Sequence, residues 1–237
     1  MMSRDFGTLS KVLKGLIGLG AAGAVAAIAY QRVIRPWHMR WGATTAEAEQ
    51  SLPGDELVAN PKQISTRSIT IQTPAAQVWP WLVQLGQGQG GFYTYDWLEN
   101  LVGCNIHSAD QVLPEYQQIA VGDRVRLGPE GYPFYTVARV EAGRALILRA
   151  DAPEGEDVPI DKSWLFYLAE IAPEQTRLIV RNRRDYEPTL SNFMMWRVII
   201  EPLHFIMEHR MLWGIKERAE KDGSKPIAAS QAVIQDE

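Results

Sequence analysis

Cysteine is nearly absent: Cys104 stands alone in 237 residues. That excludes an intrachain disulfide and any zinc site built on cysteines, and nothing beside Cys104 marks it as an activated thiolate. Histidine is scarce, with four in the chain. No HExxH pair, Ser-His-Asp order, phosphate loop or CxxC motif is present, so the familiar hydrolase, zincin, nucleotidase and thiol-redox signatures are all missing. There is no excess of positive charge. Lys and Arg number 24 against 28 Asp and Glu, a net charge of −4, which gives no field for nucleic acid to follow. No internal repeat is found. What remains is an ordinary globular composition, 46% hydrophobic and 22% charged, enough for one core with appendages.

Near the amino terminus Gly15–Tyr30 runs without a charge, extended by Val12–Leu13 before and Val33–Ile34 after. It lies near the lower limit for crossing a bilayer, where about 20 apolar residues are typical. Lys14 can snorkel, and Gly15, Gly18, Gly20 and Gly23 allow close helix contact. The reading adopted is an uncleaved single-pass anchor over 9–34 behind a tail of residues 1–8. A cleaved signal peptide ending near Ala27-Ile28-Ala29 and a short buried helix are the alternatives. Arg4, Lys11 and Lys14 before the span nearly balance Arg32, Arg35 and Arg40 after it under the positive-inside rule, and the tight packing of Arg32, Arg35, His38 and Arg40 tips the expectation to a cytoplasmic domain. Residues 35–62 read as an interfacial segment, with Trp37 and Trp41 among arginines, followed by a short acidic helix, Ala46–Ser51, capped by Thr44 or Thr45.

From residue 63 the pattern becomes that of a folded domain, running to 219 before a loose tail, 220–237. Ile64–Thr73 alternates as a strand. Thr73-Pro74 opens a helix through Leu85, with Thr73 as cap and Pro74 at the first helical position; Tyr93–Val102 is a second short helix. The period then changes to two. Asp123–Leu127, Pro133–Glu141, Arg144–Arg149, Ser163–Glu170 and Thr176–Arg184 each read as strands. The last element is helical: Trp196, Ile199, Leu203, Ile206, Arg210 and Trp213 form the expected buried face, with Arg197, Glu201, His204 and Glu208 elsewhere. Strand, two short helices, antiparallel strands and a long helix predict an α+β domain whose curved sheet wraps the last helix.

Spanning the end of the first helix, the loop after it and the second helix is Val78–Gly103, dense in tryptophan, tyrosine and clustered glycine, a composition suited to a cavity wall. Its segments Val78–Gly86 and Gly90–Asn100, together with Trp41-Gly42-Ala43-Thr44, Leu52-Pro53-Gly54-Asp55, His107-Ser108-Ala109-Asp110 and Val121-Gly122-Asp123, carry a family resemblance. Over roughly residues 37–215 the chain resembles the SRPBCC superfamily, the START-like or helix-grip proteins that include polyketide cyclases and lipid-transfer domains, and among them the membrane-linked bacterial members of undefined activity. The resemblance implies a deep, largely apolar cavity between sheet and C-terminal helix, holding a lipid, sterol, polyketide or hydrophobic hormone.

Candidate chemistry is weighed residue by residue. Gly86-x-Gly88-x-x-Gly91 matches the dinucleotide fingerprint in letters, but it follows a helix and no parallel βαβ alternation succeeds it, so it reads as a cavity lip. Asp96, Glu99, His107 and Asp110 are acid–base or metal candidates, or else a helix cap, a solvated acid and a hydrogen-bonded turn. His107, Asp96 and Tyr95 are the best candidates for moving a proton. Alternation places Ile179, Arg181 and Arg183 on one strand face, where the two cations either hold an anionic head group in the cavity or lie outside with Asp185 and Glu187. Trp164 and Phe166, with Met194, Met195, Met207 and Met211, can line an adaptable pocket or pack a core. The expected ligand-binding set is Trp81, Tyr93, Tyr95, His107, Trp164, Phe166, Arg181, Arg183 and Met207, without cofactor or metal. Two functions follow as expectations. The first is membrane-anchored binding of a hydrophobic small molecule or lipid; the alternative is a cyclase- or dehydratase-like enzyme. A structural accessory with a collapsed cavity is the plainest reading.

Overall fold

The computed structural model describes residues 25, 28–151 and 160–223. It divides into two units, Met1–Met39 and Arg40–Glu237. In the first, a π-helical turn, Tyr30–Ile34, leads into helix α1, Arg35–Met39, and the Tyr30 hydroxyl lies 3.2 Å from His38 Nε2. The anchor expected over 9–34 lies mostly outside the described residues, and among the described residues no helix is long and apolar enough to cross a membrane.

The second unit opens with α2, Thr45–Glu49. Thr44, the nearer of the two expected caps, starts it with a full capping box: its hydroxyl accepts from Glu47 N, and Glu47 Oε2 accepts from Thr44 N at 2.7 Å. Strand β1, Gln63–Ile71, is followed by α3, Ala75–Val83, and α4, Asp96–Leu101. Pro74, not Thr73, occupies the cap position of α3, one residue before the place expected for it. Pro80 is accommodated within α3 in spite of its missing amide.

The strands β2 (Arg124–Arg126), β3 (Phe134–Glu141), β4 (Ala145–Asp151), β5 (Asp161–Ala172) and β6 (Gln175–Asp185) complete one antiparallel sheet in the order β1-β6-β5-β4-β3-β2. Register shifts interrupt β3 between Val137 and Arg139 and β5 between Glu170 and Ala172; an extra residue at such points bends and twists a strand. The chain ends in α5, Glu201–Gly223, entered through a short turn, Leu190–Asn192, and a π-helical segment, Phe193–Ile200. Helix α5 packs against α3 and β1. The antiparallel sheet and long C-terminal helix are the helix-grip arrangement expected from the sequence.

Strand alternation divides the interior into two layers. Leu146, Leu148, Phe166, Leu168, Leu178 and Val180 face the helices and join Trp81, Leu82, Met211, Leu212 and Ile215 in the main core. Ala145, Ile147, Leu165 and Ile179 face the other way and pack beneath Leu52 and Leu57, so the segment around α2 covers the second face of the sheet. Each wholly buried leucine or phenylalanine contributes roughly 1.5–3 kcal/mol of transfer free energy. Two glycines fix close approaches. Gly42 has φ of +70°, and a Cβ there would lie 2.1 Å from the Ser68 carbonyl oxygen; one on Gly214 would lie 2.3 Å from that of Tyr93.

Candidate functional site

A cavity of about 230 Å³ lies between the sheet and α5. Its walls are apolar, from Phe92, Leu127, Trp164, Met207 and Met211. Thr94, Glu99, Tyr135, Lys162, His204 and Glu208 supply the polar groups. Drug-sized ligands occupy roughly 300–1,000 Å³, so this space suits a smaller molecule. It is neither collapsed nor large enough for a whole phospholipid.

The polar end is built by parity. On β1, Arg67 shares the inward face with Ile69 and Ile71; on β6, Asn182 and Arg184 share it with Leu178 and Val180; on β5, Lys162 shares it with Trp164 and Phe166. Helix α5 answers with Glu201, His204 and Glu208, at three- and four-residue spacing on one side. Arg67 and Glu208 form an ion pair in which both side chains are only 1% exposed. Glu208 Oε1 also accepts from Trp164 Nε1 at 3.0 Å and from Asn182 Nδ2 at 2.7 Å. Gln63 ties Arg184 to Glu201, accepting from the first at 3.2 Å and donating to the second at 2.6 Å. A buried carboxylate is tolerable only with this degree of pairing.

Those fixed charges perturb the groups that face the cavity. Burial, and then the charges of Arg184 and Arg67, drive the Lys162 amine well below the ordinary lysine range, against the pull of Glu208. Lys162 Nζ sits 5.0 Å from the centre of the Tyr135 ring and 5.9 Å from that of Trp164, and it makes no ion pair among the described residues. Burial, Lys162, Arg67 and Arg184 all press the His204 imidazole down. Its Nδ1 lies 3.5 Å from Arg67 Nη1; since guanidinium only donates, Nδ1 is the acceptor and the ring proton resides on Nε2, toward Glu208. Burial pushes the Tyr135 phenol up. Burial also raises Glu99, opposed by the nearby Thr94 hydroxyl and helped by Asp96, to about 7. Arg67 pairs with Glu208, and Gln63 links Arg184 to Glu201. The polar end thus matches each buried acid to an arginine, and beside these pairs it holds a carboxyl, an amine and an imidazole able to exchange protons.

The residues singled out from the sequence are dispersed. Trp164 and Met207 line the cavity. Phe166 supports Trp164 from below, ring centres 4.8 Å apart. Trp81 and Tyr93 are buried beside the cavity, not in its lining: the Tyr93 hydroxyl donates to the Trp81 carbonyl at 3.1 Å, the rings meet edge-on, and Tyr93 holds φ of 57°. Tyr95 precedes α4 without capping it by a side-chain bond. Asp96 does not cap that helix either; it accepts from Ser108 N at 2.7 Å and from Ser108 Oγ at 2.6 Å, tying down the following loop. His107 is exposed and turns to Asn105, and Asp110 pairs with Arg218. The proposed trio of Tyr95, Asp96 and His107 is therefore not brought together at the cavity.

Arg181 and Arg183 do share a face, but it is the one beneath α2. Arg181 donates to Asp55, Thr66 and the carbonyls of Glu47, Ala48 and Gln50, while Arg183 donates to the Val58 carbonyl. They clamp the covering segment and cannot hold a ligand head group in the cavity. Trp41, expected at a membrane interface, is half-buried and meets His209 of α5 edge-on, ring centres 4.4 Å apart. Gly86 and Gly91 close a tight loop by reciprocal 3.0 Å hydrogen bonds, and that loop leads directly into Phe92 and Thr94 of the lining. Lys162, Tyr135, His204 and Glu208 were missed as site residues. The available signal was positional: Lys162 lies two residues from Trp164 on one strand face, and His204 and Glu208 flank Met207 on the helix.

No family model matches the chain, and no curated protein matches it. Among solved structures it is similar to MLL2253 from Mesorhizobium loti, at 12% identity over 67% of this chain and 98% of that one, with a TM-score of 0.39. It is similar to the Aha1 dimer from Colwellia psychrerythraea, at 14% identity over 67% and 96%, with a TM-score of 0.40. It is also similar to norcoclaurine synthase from Thalictrum flavum, at 9% identity over 71% and 92%, with a TM-score of 0.39.

Proposed function

We propose that this protein is a membrane-anchored binder of a small, neutral, mostly apolar molecule, held between sheet and C-terminal helix. The observation that carries the reading is the cavity itself: aromatic and thioether walls with a charge-balanced polar end. Thioethers adapt to irregular apolar shapes, and a few polar groups at one end orient a ligand by a single carbonyl or hydroxyl. A free carboxylate is disfavoured, because Glu99 and Glu208 already bring acid to the same space. The anchor part of the reading is supported by the uncharged run Gly15–Tyr30 and places the domain beside the phase in which lipophilic molecules dissolve. The test is mass spectrometry of compounds released on denaturing the purified full chain. A lipophile smaller than a phospholipid is expected; reproducible absence of any released compound would contradict the proposal.

A second reading, acid–base catalysis on a bound cyclisable or dehydratable substrate, is favoured by one observation. Glu99, with its carboxyl at about 7, lines the same cavity as the depressed Lys162 amine. In that reading Glu99 and Lys162 take the roles first given to His107, Asp96 and Tyr95. Glu99→Gln and Lys162→Met should each abolish turnover while the bound compound is retained. Turnover unchanged in both variants would remove this reading.

A further inference from the structure

The start of helix α5 and the segment before it turn much of the expected buried face outward: Ile199 is 54% exposed, Ile206 49% and Leu203 42%, with Leu190, Phe193 and Val198 exposed beside them. The two carboxylates of Pro188–Trp213, Glu201 and Glu208, are turned inward at 1% and 2% exposure. The outer side of this stretch consequently presents no acid. Its charged groups are Arg197, stacked on Phe193, and Arg210, paired with Glu217 further on. The reason lies across the sheet: Arg67, Arg184 and Asn182 need partners inside, so the helix offers its polar face inward and its apolar residues have nowhere to go but out.

A contiguous apolar face of this kind marks an interaction site, not an accident of composition. We infer that the outer face of Leu190–Trp213 rests on an anionic lipid bilayer, apolar side chains in the acyl boundary and Arg197 and Arg210 at headgroup depth. Three features select a bilayer. The face lacks acids and keeps arginines, the charge pattern suited to anionic lipid. It carries Trp213, 39% exposed, whose ring chemistry fits the headgroup layer. And the apolar run Gly15–Tyr30 ends ten residues before the folded unit begins at Arg40, a link that is helical from Tyr30 to Met39 and so only about 15 Å long. The inference is separate from the ligand reading and rests on a different observation from the anchor.

The test uses the full chain in nanodiscs of phosphatidylcholine and phosphatidylglycerol. Ile206→Cys in a Cys104→Ala background carries an environment-sensitive fluorophore. Glu174→Cys in the same background serves as control, because the β5–β6 turn lies at the opposite end of α5, near Glu220. Nitroxide-labelled lipid should quench the fluorophore at 206 several-fold more than at 174. Equal quenching would overturn the inference. So would protection of position 206 from aqueous iodide without quenching by lipid, since a second copy or the chain's own amino-terminal segment would then cover the face. Alkaline carbonate extraction of the same protein reports the anchor independently, so the two membrane readings fail separately.

Discussion

Arg67 and Glu208 come from strands of sequence more than a hundred residues apart and pair in the interior, where neither side chain is more than 1% exposed. Removing either partner leaves an uncompensated buried charge, whereas removing both leaves only weaker neutral groups unpaired. Arg67→Met or Glu208→Leu alone should each lower unfolding free energy by about 3–5 kcal/mol. The double variant should recover part of that loss, short of the parent, because Trp164 Nε1 and Asn182 Nδ2 lose their acceptor. Denaturant unfolding of the four proteins gives the coupling directly; additive losses would contradict the pairing.

Glu99 makes stability fall as pH rises. Its folded pKa of about 7 exceeds the ordinary 4.5, so the carboxyl adds nothing adverse below 4.5 and its cost grows between 4.5 and 7 as the folded state is made to ionise. Glu99→Gln should match the parent at pH 4.5 and exceed it above pH 7. The gain is about 1 kcal/mol once screening of this partly exposed group is allowed for. Thermal unfolding across that range checks the sign; a gain confined to acid pH would refute it.

Arg181 is a clamp, and its loss should register in stability and not in ligand affinity. Arg181→Met strands Asp55 and three backbone carbonyls of the α2 segment, a cost of about 2–4 kcal/mol for a buried hydrogen-bonded network. Unfolding and binding measured on the same variant decide between the clamp and a head-group site. Loss of binding with intact stability would restore the latter.

Gly214→Ala sets helix propensity against space. Alanine favours a helix interior by about 1 kcal/mol over glycine. Yet the added Cβ would meet the Tyr93 carbonyl oxygen at 2.3 Å, and overpacking of this type costs about 1–3 kcal/mol. The clash should win, lowering the thermal midpoint. A raised midpoint would mean that α5 and the Tyr93 loop separate freely.

The element order was legible because strand alternation and turn residues act locally: all six strands appear within about two residues of their expected ends. The orientation of the last helix was not. Trp196, Ile199, Leu203, Ile206 and Trp213 look like a buried stripe by hydrophobicity alone, but which face a helix buries depends on what the sheet presents. Here the sheet presents Arg67, Arg184 and Asn182, which are remote in sequence. Arg181 and Arg183 show the same limit in a strand: their shared face was read correctly from parity, while the side of the sheet was fixed by the distant Leu52–Leu57 cover. Of the cavity, Trp164 and Met207 were legible as an aromatic and a thioether in amphipathic elements. Lys162, His204 and Glu208 looked like surface charge until their partners were in place.

The central claim is that the cavity under α5 is where a ligand resides. Met207 lines that cavity without joining the Arg67–Glu208 network, so Met207→Trp fills the space and leaves the ion pairs alone. Calorimetric titration of the compound released from the parent into ligand-stripped parent and Met207→Trp, with unfolding measured on both, is the most direct test. The account predicts at least tenfold weaker binding in a variant that still unfolds cooperatively near the parent's midpoint. Equal affinity in a folded Met207→Trp would contradict it.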